Sequence, residues 1–375
     1  MKVFPVNKPL LEKEEIAAAV QALELGWLGM GSYVGEFEKA VNNFLGGNGR
    51  YVAAVSSGTA ALHLGLLAAG VGNGDEVILP SFNFVGAAQA VMATGAKPVF
   101  CDVYEDSLCI NLEEVQKLIS SKTKAILAVD YSCHLCDHDG LAELANERGL
   151  RIIHDAAHSF GSEHKGKRIG SFSDICAFSF DPIKTVTCID GGIVVVRSEE
   201  ELKMVQEMRV VGMMQSANTA YQNQRPAMVD VQRVGYRYHM PNLHAAIGLA
   251  QLKKIESISE NRRRACKYYS EKLSLVSNIS IPKSDFIDVT PFIYYIRVPS
   301  DSRNDFRDYL KEKGVGSGCH WIPIHEYTLF KQCKKGSLPV SEKVGREIVT
   351  LPLYSDMLCE DIDEITGHIS SFFKN

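Results

Sequence analysis

Short apolar runs alternate with longer amphipathic stretches through residues 51–196. Each run is rich in Val, Ile, Leu and Ala and is too short for a buried helix, so it predicts a buried strand. Four such runs are 77–79, 98–100, 125–129 and 152–153. Apolar positions at helical spacing occupy the stretches between them, for example 86–94, 112–120 and 139–148. This alternation predicts an α/β fold with a largely parallel sheet that helices cover on both faces.

Helical patterns also precede this region. Residues 10–26 carry acidic side chains in a first helical turn and end at a glycine. A glycine-rich loop follows at 27–32, and residues 36–41 open a second amphipathic helix. Further along, residues 215–225 lack an apolar period and predict an irregular loop.

The last third of the chain has a different pattern. A long helix is predicted from His244 past Leu252, with the Arg and Lys residues of 262–267 on an exposed face. A strand at 292–298 and a helix at 303–313 predict a small α+β lobe. The full length of 375 residues exceeds the roughly 250–300 residues at which single cores stop growing. We therefore predict a large domain at 1–250 and a small C-terminal domain at 251–375.

Composition narrows the class of protein. Hydrophobic residues make up 46% and charged residues 23%, as in soluble globular proteins, and the net charge is −5. The sequence has no basic cluster of the kind that binds nucleic acid, no apolar run long enough to span a membrane, and no signal-peptide pattern at its start. The ten cysteines are interpreted as reduced thiols, so the chain is predicted to be cytoplasmic.

One cluster, Cys133 to His138, holds possible metal ligands within six residues. Structural zinc sites usually pair two such groups separated by a longer span, and the sequence has no second group. We therefore predict no metal site here.

A lysine follows one of the apolar runs. Residues 178–180 end a strand, Pro182 fixes a turn, Lys184 follows, and Gly191-Gly192 open the next strand. A lysine between two buried strands is partly desolvated, which lowers its pKa and favours the neutral amine that forms a Schiff base. The alternative is an ordinary solvated lysine after a strand.

The run that ends in Asp155 favours the first interpretation. Ligands of open α/β sheets bind at the carboxyl ends of the strands. A carboxylate there and a loop lysine nearby are the pair that pyridoxal phosphate requires, the carboxylate for the pyridine nitrogen and the lysine for the aldehyde.

A third feature lies at Ser56 to Leu64, where small residues precede a helical pattern. Gly58 lets the backbone approach a ligand, and Thr59 places a hydroxyl and an amide at a helix start, which is a ready anion site. An ordinary helix cap is the alternative. No Gly-x-Gly-x-x-Gly motif follows a strand, so a nicotinamide dinucleotide fold is disfavoured.

These features resemble the DegT/DnrJ/EryC1/StrS family of sugar aminotransferases. The segments that carry the resemblance are SSGTAALHLGL (56–66), LPSFNFVGAAQAVMATGAKPVFCDV (79–103), HDAAHSFGSEHKGKRIGSFSDICAFSFDPIK (154–184), GYRYHMPNLHAAIGLAQL (235–252) and LPLYSDM (351–357). The resemblance covers essentially the whole chain. It implies an aspartate aminotransferase-like α/β fold, with a mainly parallel seven-stranded sheet in the large domain and a small C-terminal α+β domain.

The resemblance also implies the chemistry. Pyridoxal phosphate would be bound covalently to Lys184, take the amino group of L-glutamate, release 2-oxoglutarate and become pyridoxamine phosphate. That amine would then pass to a keto-sugar nucleotide. Lys184 would act as acid and base, and Asp155 would keep the ring nitrogen protonated. A homodimer with shared active sites is implied.

Further site residues follow from the resemblance alone. Those expected at the cofactor are Gly58, Thr59, Phe84 stacked on the ring, His158 beside its phenolic oxygen, Ser179 at the phosphate, and His239 reaching the neighbouring subunit's phosphate. Those expected at the substrate are Trp27, Met30, Asp181, Arg237 and His320.

Three positions depart from the family pattern. His239 stands where Asn or Arg is common, Asp181 where an aromatic residue or histidine is common, and His154 where an acid is common.

The N-terminal segment around Asn7-Lys8-Pro9 and Gly26-Trp27-Leu28 looks more like members that aminate C-4 of a hexose than those that aminate C-3. We therefore expect a 4-keto-6-deoxyhexose linked to dTDP, UDP or GDP, made into an amino sugar for a surface polysaccharide or glycan. Alternatives are a C-3 aminotransferase, a pyridoxal phosphate-dependent sugar dehydratase, in whose relatives histidine replaces the lysine, and a non-catalytic sensor that kept the fold.

Overall fold

A seven-stranded sheet forms the centre of the protein. The structure is a computed structural model that describes residues 2–47, 49–213, 221–224 and 230–374. In chain order its strands are β1 Tyr51–Val55, β2 Glu76–Pro80, β3 Lys97–Cys101, β4 Thr123–Val129, β5 Arg151–Asp155, β6 Glu163–His164, β7 Lys167–Arg168, β8 Ile175–Ser179, β9 Gly192–Val196, β10 Tyr294–Arg297 and β11 Ile348–Leu351. The strand order of the central sheet is β1–β9–β8–β5–β4–β2–β3. Within this sheet, every pairing that excludes β9 is parallel, and β9 is antiparallel to both neighbours.

Helices cover both faces of this sheet. The helices in the described part of the chain are α1 Lys13–Glu24, α2 Ser32–Phe44, α3 Gly58–Ala68, α4 Val85–Ala93, α5 Leu112–Leu118, α6 His138–Arg148, α7 Glu199–Met208, α8 Asn242–Leu252, α9 Ile255–Leu273, α10 Arg303–Glu312, α11 Pro339–Glu347 and α12 Cys359–Phe373. The predicted α/β fold with a mainly parallel seven-stranded sheet is confirmed. Among the described helices, none combines the length and the hydrophobicity that a membrane span requires.

Side chains of the sheet alternate between two cores, as the pleat of a strand dictates. Leu127 and Ile153 pack with α3, α4 and α7 on one face. Ile126 and Ala128 pack with α5 and α6 on the other face. Because Asp155 is two residues after Ile153, it lies on the α3 face, whereas His154 lies on the α6 face.

The C-terminal lobe has a core of its own. Strands β10 and β11 pair antiparallel, and side chains of α9, α10 and α12 pack around them. Phe4, at the other end of the chain, is fully buried in this same core and forms a bridge with Val315. The division into domains at residue 250 stays a prediction.

Two expectations for the helix after residue 244 are wrong. The helix is not continuous: α8 ends at Leu252, α9 begins at Ile255, and between them the Lys254 amine contacts Glu15 at 2.7 Å. The basic residues of 262–267 are not all on an exposed face, because Arg262 is only 2% exposed. Its guanidinium donates to the carbonyl oxygens of Pro291 and Phe292, both at 2.9 Å, which satisfies a buried cation that has no carboxylate partner.

The predicted irregular loop at 215–225 lies mostly outside the described residues. Tyr221, which is described, donates to Glu38 and accepts from the buried Arg209 at 2.8 Å.

Candidate active site

A cavity of about 400 Å³ opens where β4, β5 and β8 end and where α3 begins. Carboxyl ends of parallel strands meet at one edge of a sheet, and ligands of α/β folds bind there. Nine of the residues predicted for the site line this cavity: Gly58, Thr59, Phe84, Asp155, His158, Ser179, Asp181, Lys184 and His320.

Lys184 reaches the cavity from the turn after β8. The turn is closed by the Lys184 amide, which donates to the Asp181 carbonyl at 3.0 Å, and by the Ile183 amide, which donates to the Asp181 carboxylate at 3.1 Å. Burial lowers the pKa of the Lys184 amine to about 8, although Asp155 and Asp181 oppose this shift. The predicted desolvated amine is therefore present, with a much larger neutral fraction at neutral pH than an ordinary lysine.

Asp155 is the last residue of β5 and is only 5% exposed. Its Oδ1 accepts from the Ala157 amide at 3.2 Å. Burial raises the pKa of Asp155 to about 6, against the opposing effects of that hydrogen bond and of Lys184. A carboxylate with this raised pKa gains from a cationic partner, and a protonated pyridine nitrogen is such a partner.

The start of α3 forms an anion cradle opposite the sheet. Ser57 is the N-cap, and its Oγ accepts from the Ala60 amide at 3.1 Å. The amides of Gly58 and Thr59 belong to the first turn, where no earlier carbonyl of the helix can accept from them. A Cβ at Gly58 would lie 2.6 Å from the Cβ of Ser179, so only glycine lets the cradle close on the end of β8. This geometry suits a phosphate held between the helix start and Ser179.

His158 is buried on the wall of the cavity. Its Nδ1 accepts from the Ser132 amide at 3.2 Å, which places the ring proton on Nε2. Burial, with Lys184 and His320 adding to it, holds the pKa of His158 well below its usual value. The side chain is therefore a neutral donor at Nε2, which is the role that a phenolate oxygen of the cofactor would require.

Aromatic rings form the opposite side of the cavity. Phe84 is 46% exposed, and its ring centre lies 5.1 Å from that of Trp321. His320 precedes Trp321 and is held by a 2.8 Å contact between its Nδ1 and the Thr350 hydroxyl. Burial lowers the pKa of His320 to about 4, so this imidazole is neutral at physiological pH. An exposed aromatic ring on the wall of this cavity is suited to cover a flat ligand.

Four predicted site residues do not line this cavity: Trp27, Met30, Arg237 and His239. Trp27 donates from its indole to the Met30 carbonyl at 2.9 Å, and its own carbonyl accepts from the Asn242 side chain at 3.1 Å. His239 pairs with Val55 at the end of β1, directly before the anion cradle, but does not line the cavity. Within one chain, these four side chains therefore lie outside the cavity.

Several residues at the cavity escaped the sequence analysis. Phe292 lies under the lysine, with its ring centre 3.9 Å from the Lys184 Nζ and 4.5 Å from the centre of the His158 ring. Asn83 and Trp321 also line the cavity, and Ser132 holds His158 from behind. Asn83 and Trp321 are each adjacent to a predicted residue, which was the available signal. Phe292 comes from the C-terminal lobe and had no signal beyond its place in a predicted strand.

One group outside the cavity has the composition of a metal site. Ligand atoms of Asp130, His138 and His154 all lie within 4.8 Å of one another, and all three residues are buried. Of the cluster at 133–138, only His138 belongs to this group; Cys136 instead donates from its thiol to the Val129 carbonyl at 3.1 Å. The prediction that no metal binds here stays a prediction.

The residues of the cavity fit pyridoxal phosphate at three points. Asp155 can face the ring nitrogen, Lys184 the aldehyde carbon, and the Gly58–Ser179 cradle the phosphate. A cavity of about 400 Å³ lies within the usual range for small-molecule sites, roughly 300–1,000 Å³.

Comparison with known proteins agrees with this geometry. The model of the DegT/DnrJ/EryC1/StrS aminotransferase family matches residues 9–370. An uncharacterized protein from Methanocaldococcus jannaschii is 31% identical over 374 residues, covering 98% of this chain and 96% of its own.

Two solved structures have the same overall fold. PseC from Helicobacter pylori, an aminotransferase involved in the biosynthesis of pseudoaminic acid, has a TM-score of 0.91 and 25% identity over 100% of both chains. Spr1654 from Streptococcus pneumoniae, solved in a PLP form and a PMP form, also has a TM-score of 0.91 and 25% identity. The match to its PLP form covers 100% of this chain and 99% of the Spr1654 chain.

Proposed function

The chain belongs to the DegT/DnrJ/EryC1/StrS aminotransferase family, and we propose that it transfers the amino group of L-glutamate to a keto-sugar nucleotide. Pyridoxal phosphate, bound covalently through Lys184, is the proposed cofactor. One observation carries the proposal: the desolvated Lys184 amine and the buried Asp155 carboxylate line the same cavity as the open amides of α3. A non-catalytic relative would have no use for this combination.

When bound, the cofactor supplies an electron sink for the bond that is broken at the amino-acid Cα. Asp155 stabilises that sink because its carboxylate holds a proton on the ring nitrogen. The Lys184 amine would move the proton at the donor Cα as acid and base. The pKa of about 8 suits this role, because both protonation states of the amine are accessible near neutral pH.

The remaining cavity residues bind and orient. The amides of Gly58 and Thr59 and the Ser179 hydroxyl would hold the phosphate. His158 would donate from Nε2 to the phenolic oxygen, and Phe84 would cover the ring. Asp181 and His320, at the rim of the same cavity, are proposed to contact the sugar.

The proposed acceptor is a 4-keto-6-deoxyhexose linked to dTDP, UDP or GDP. The support is the N-terminal segment with Trp27, together with the similarity to PseC, an aminotransferase involved in the biosynthesis of pseudoaminic acid. Amination at C-3 is the second candidate within the same reaction class. The product would be an amino-deoxy sugar for a surface polysaccharide or glycan.

A homodimer is proposed to complete each site. Trp27, Met30, Arg237 and His239 lie outside the cavity of their own chain, although the family pattern assigns them to substrate and phosphate. Their position outside the cavity suits side chains that would be supplied to the site of a second subunit.

We retain the cytoplasm as the proposed location.

The absorbance spectrum of the purified protein with pyridoxal phosphate tests this function. L-glutamate should bleach the visible band of the lysine-bound cofactor, and one keto-sugar nucleotide from a panel of 4-keto and 3-keto compounds should restore it. A restored band with only a 3-keto compound would overturn the C-4 assignment and keep aminotransfer. A band that never responds to glutamate would overturn aminotransfer itself.

The dehydratase alternative predicts a different result in the same assay. A dehydratase would consume a hydroxy-sugar nucleotide and need no renewed amino donor. Lys184 argues against it, because dehydratase relatives carry histidine at this position. Product analysis by mass spectrometry separates the two reactions, since aminotransfer adds nitrogen to the sugar.

A further inference from the structure

A buried carboxylate lies behind the cavity, on the face of the sheet opposite to it. Asp130 directly follows β4 and has no exposed surface. His154 and Asp155 are neighbours in β5 and point to opposite faces, so Asp130 meets His154 while Asp155 faces the cavity. Asp130 takes no part in the proposed chemistry and does not line the cavity.

Three donors and one further imidazole converge on this one carboxylate. Its Oδ2 accepts from the Nε2 of His154 at 2.7 Å and from the hydroxyl of Ser159 at 2.6 Å. Its Oδ1 accepts from the amide of Cys136 at 2.9 Å and lies 3.3 Å from the Nε2 of His138. A buried carboxylate needs such saturation, because an unpartnered charge in the interior is costly.

Three of these contacts lead to groups that face the proposed cofactor, and two of them do so through residues adjacent in the chain. His154 is bonded along the chain to Asp155. Ser159 follows His158, so its hydroxyl bond to Asp130 fixes the turn that carries the His158 ring.

The third contact acts through a loop. The Cys136 amide ties residues 131–136 to Asp130, and this loop supplies the Ser132 amide that donates to the Nδ1 of His158 at 3.2 Å. The loop at 131–136 is therefore fixed to Asp130 by the Cys136 amide and to His158 by the Ser132 amide.

We propose that Asp130 is a positioning residue that fixes Asp155 and His158 against the cofactor ring. The inference rests on the proposed pyridoxal phosphate function. Asp130 holds Asp155 through His154, and it holds His158 through both Ser159 and the loop at 131–136. One carboxylate thus sets the relative placement of the two groups that face the ring nitrogen and the phenolic oxygen.

The charges around Asp130 are compatible with this role. Burial would raise the pKa of Asp130, but the imidazoles of His154 and His138 outweigh it and hold that pKa well below its usual value. Burial lowers the pKa of His154, consistent with a neutral ring that donates from Nε2 and accepts from the Ser173 hydroxyl at 3.0 Å. Burial acts the same way on His138, but Asp130 outweighs it and raises the His138 pKa.

Asp130, His138 and His154 could also form a cation site, but the geometry favours an Asp130 carboxylate that accepts hydrogen bonds from protein donors. Both carboxylate oxygens of Asp130 already accept hydrogen bonds, Oδ1 from the Cys136 amide and Oδ2 from His154 and Ser159. A metal ion would have to displace the proton of the His154 imidazole from the carboxylate.

The test compares the variants Asp130→Asn and Ser159→Ala with wild type and with the control Asp174→Asn. Asp174 is a suitable control because it is a mostly buried carboxylate that accepts from β5, at the Ile152 amide, but at the end of the strand far from the cavity. The measurements are kcat and KM, the dissociation constant of pyridoxal phosphate, the visible spectrum of the holoenzyme, and a crystal structure of each apo variant.

We expect Asp130→Asn to lower kcat by about 10²-fold, the cost of displacing a catalytic group by roughly 1 Å, with little change in KM. The spectrum should shift because Asp155 and His158 no longer face the ring correctly, and the apo structure should show His158 released from Ser132. Ser159→Ala should produce part of each effect while keeping the fold, which covers the case in which Asp130→Asn does not fold. Asp174→Asn should change none of them.

Two results would overturn the inference while leaving the proposed function intact. The first is that Asp130→Asn and Ser159→Ala both keep the wild-type kcat, spectrum and His158 position. The second is that wild type binds one equivalent of Zn²⁺ in equilibrium dialysis and that His138→Phe does not. If wild type itself shows no spectral response to glutamate, the proposed function fails instead. The apo structures still decide the placement of His158 in that case.

Discussion

The Lys184 amine lies 3.9 Å from the centre of the Phe292 ring. Phe292 comes from the C-terminal lobe, so this lobe supplies the apolar surface that desolvates the lysine. The pKa of about 8 at Lys184 therefore depends on contacts between distant parts of the chain. A cation over an aromatic face gains a little from the ring, but burial dominates here because the net shift is downward.

We predict that Phe292→Ala raises the pKa of Lys184 from about 8 towards the ordinary lysine value, because water can then reach the amine. The pH dependence of the acetylation rate of Lys184 in the apoenzyme, followed by peptide mass spectrometry, measures this pKa. Phe292→Leu is the matched control and should keep the pKa low, since it preserves an apolar contact. Equal pKa values in the alanine variant and wild type would show that Phe292 is not the cause.

Lys184→Ala should abolish turnover, with a loss of at least about 10²–10⁴-fold from the missing acid and base. The variant should still bind pyridoxal phosphate through the cradle of Gly58 and Ser179, but without the covalent link. Gel filtration after denaturation, with the cofactor measured in the protein fraction, distinguishes linked from unlinked cofactor. Lys165→Ala, at an exposed turn, should leave both turnover and linkage unchanged.

Asp155→Asn should stabilise the apoenzyme at neutral pH but nearly abolish the activity of the holoenzyme. The folded-state pKa of Asp155 is raised to about 6, so the folded protein binds this proton more tightly than the unfolded chain does. The penalty for ionising Asp155 is therefore absent below about pH 4, grows between pH 4 and 6, and is complete above pH 6. A shift of about two pKa units corresponds to roughly 3 kcal/mol.

We thus expect apo Asp155→Asn to be more stable than apo wild type at pH 7–8 and no more stable near pH 4. Thermal unfolding of both apoproteins across this pH range checks the sign. With cofactor bound, the same variant should be nearly inactive, since an amide cannot hold the proton on the ring nitrogen. A variant that is less stable than wild type at pH 8 and equally stable at pH 4 would contradict the raised pKa.

The cradle at α3 gives a steric prediction. Gly58→Ala should weaken the binding of pyridoxal phosphate, because the new Cβ would lie 2.6 Å from the Cβ of Ser179 and push the helix start away from β8. Adding Ser179→Gly removes that contact and should recover part of the lost affinity. Gly72→Ala is the control, since a Cβ there meets no atom within 4 Å. Fluorescence titration of the apoproteins with cofactor provides the affinities.

If Ser179→Gly gives no recovery in the Gly58→Ala background, the loss does not arise from this contact. The single variant Ser179→Gly is needed as a reference, because it also removes the hydroxyl proposed to hold the phosphate.

The sequence pattern indicated much of the sheet and four of the nine cavity residues, Gly58, Thr59, Asp155 and Lys184, because each depends on local signals. The other five followed only from the family resemblance. Asp155 ends an apolar run, Lys184 follows a strand and a proline, and Gly58 precedes a helical pattern, so their placement follows from where strands and helices end. The order of the strands was not accessible, because apolar runs do not record their neighbours.

Contacts between lobes were also out of reach. Nothing in the spacing of Phe292 indicates that its ring meets Lys184, and nothing around Arg262 distinguishes it from the basic residues that follow it. Helical periodicity alone was ambiguous there, because a guanidinium can be buried wherever three carbonyls happen to converge. The assignment of Trp27 and His239 to a second subunit could not be derived within one chain.

Arg262 gives the last prediction, which concerns how the lobe is held under the active-site lysine. Its guanidinium is buried, donates to the carbonyls of Pro291 and Phe292, and lies 3.4 Å from that of Leu353. Burial lowers the pKa of Arg262 to about 10, yet the group stays charged at neutral pH. Arg262→Ala would leave these carbonyls without donors, at a cost of about 1–3 kcal/mol for each one that water cannot reach.

We therefore expect Arg262→Ala to lower the free energy of unfolding by several kcal/mol and to raise the pKa of Lys184, since Phe292 loses the bond that fixes its backbone. Arg262→Lys should lose less stability but should also raise the pKa of Lys184, because one ammonium cannot reproduce the planar, multiply donating guanidinium. Arg264→Ala, at an exposed position of the same helix, should change neither quantity. If stability falls while the acetylation profile of Lys184 stays at wild type, Arg262 supports the lobe alone, and the placement of Phe292 under the lysine must come from its packing against His158.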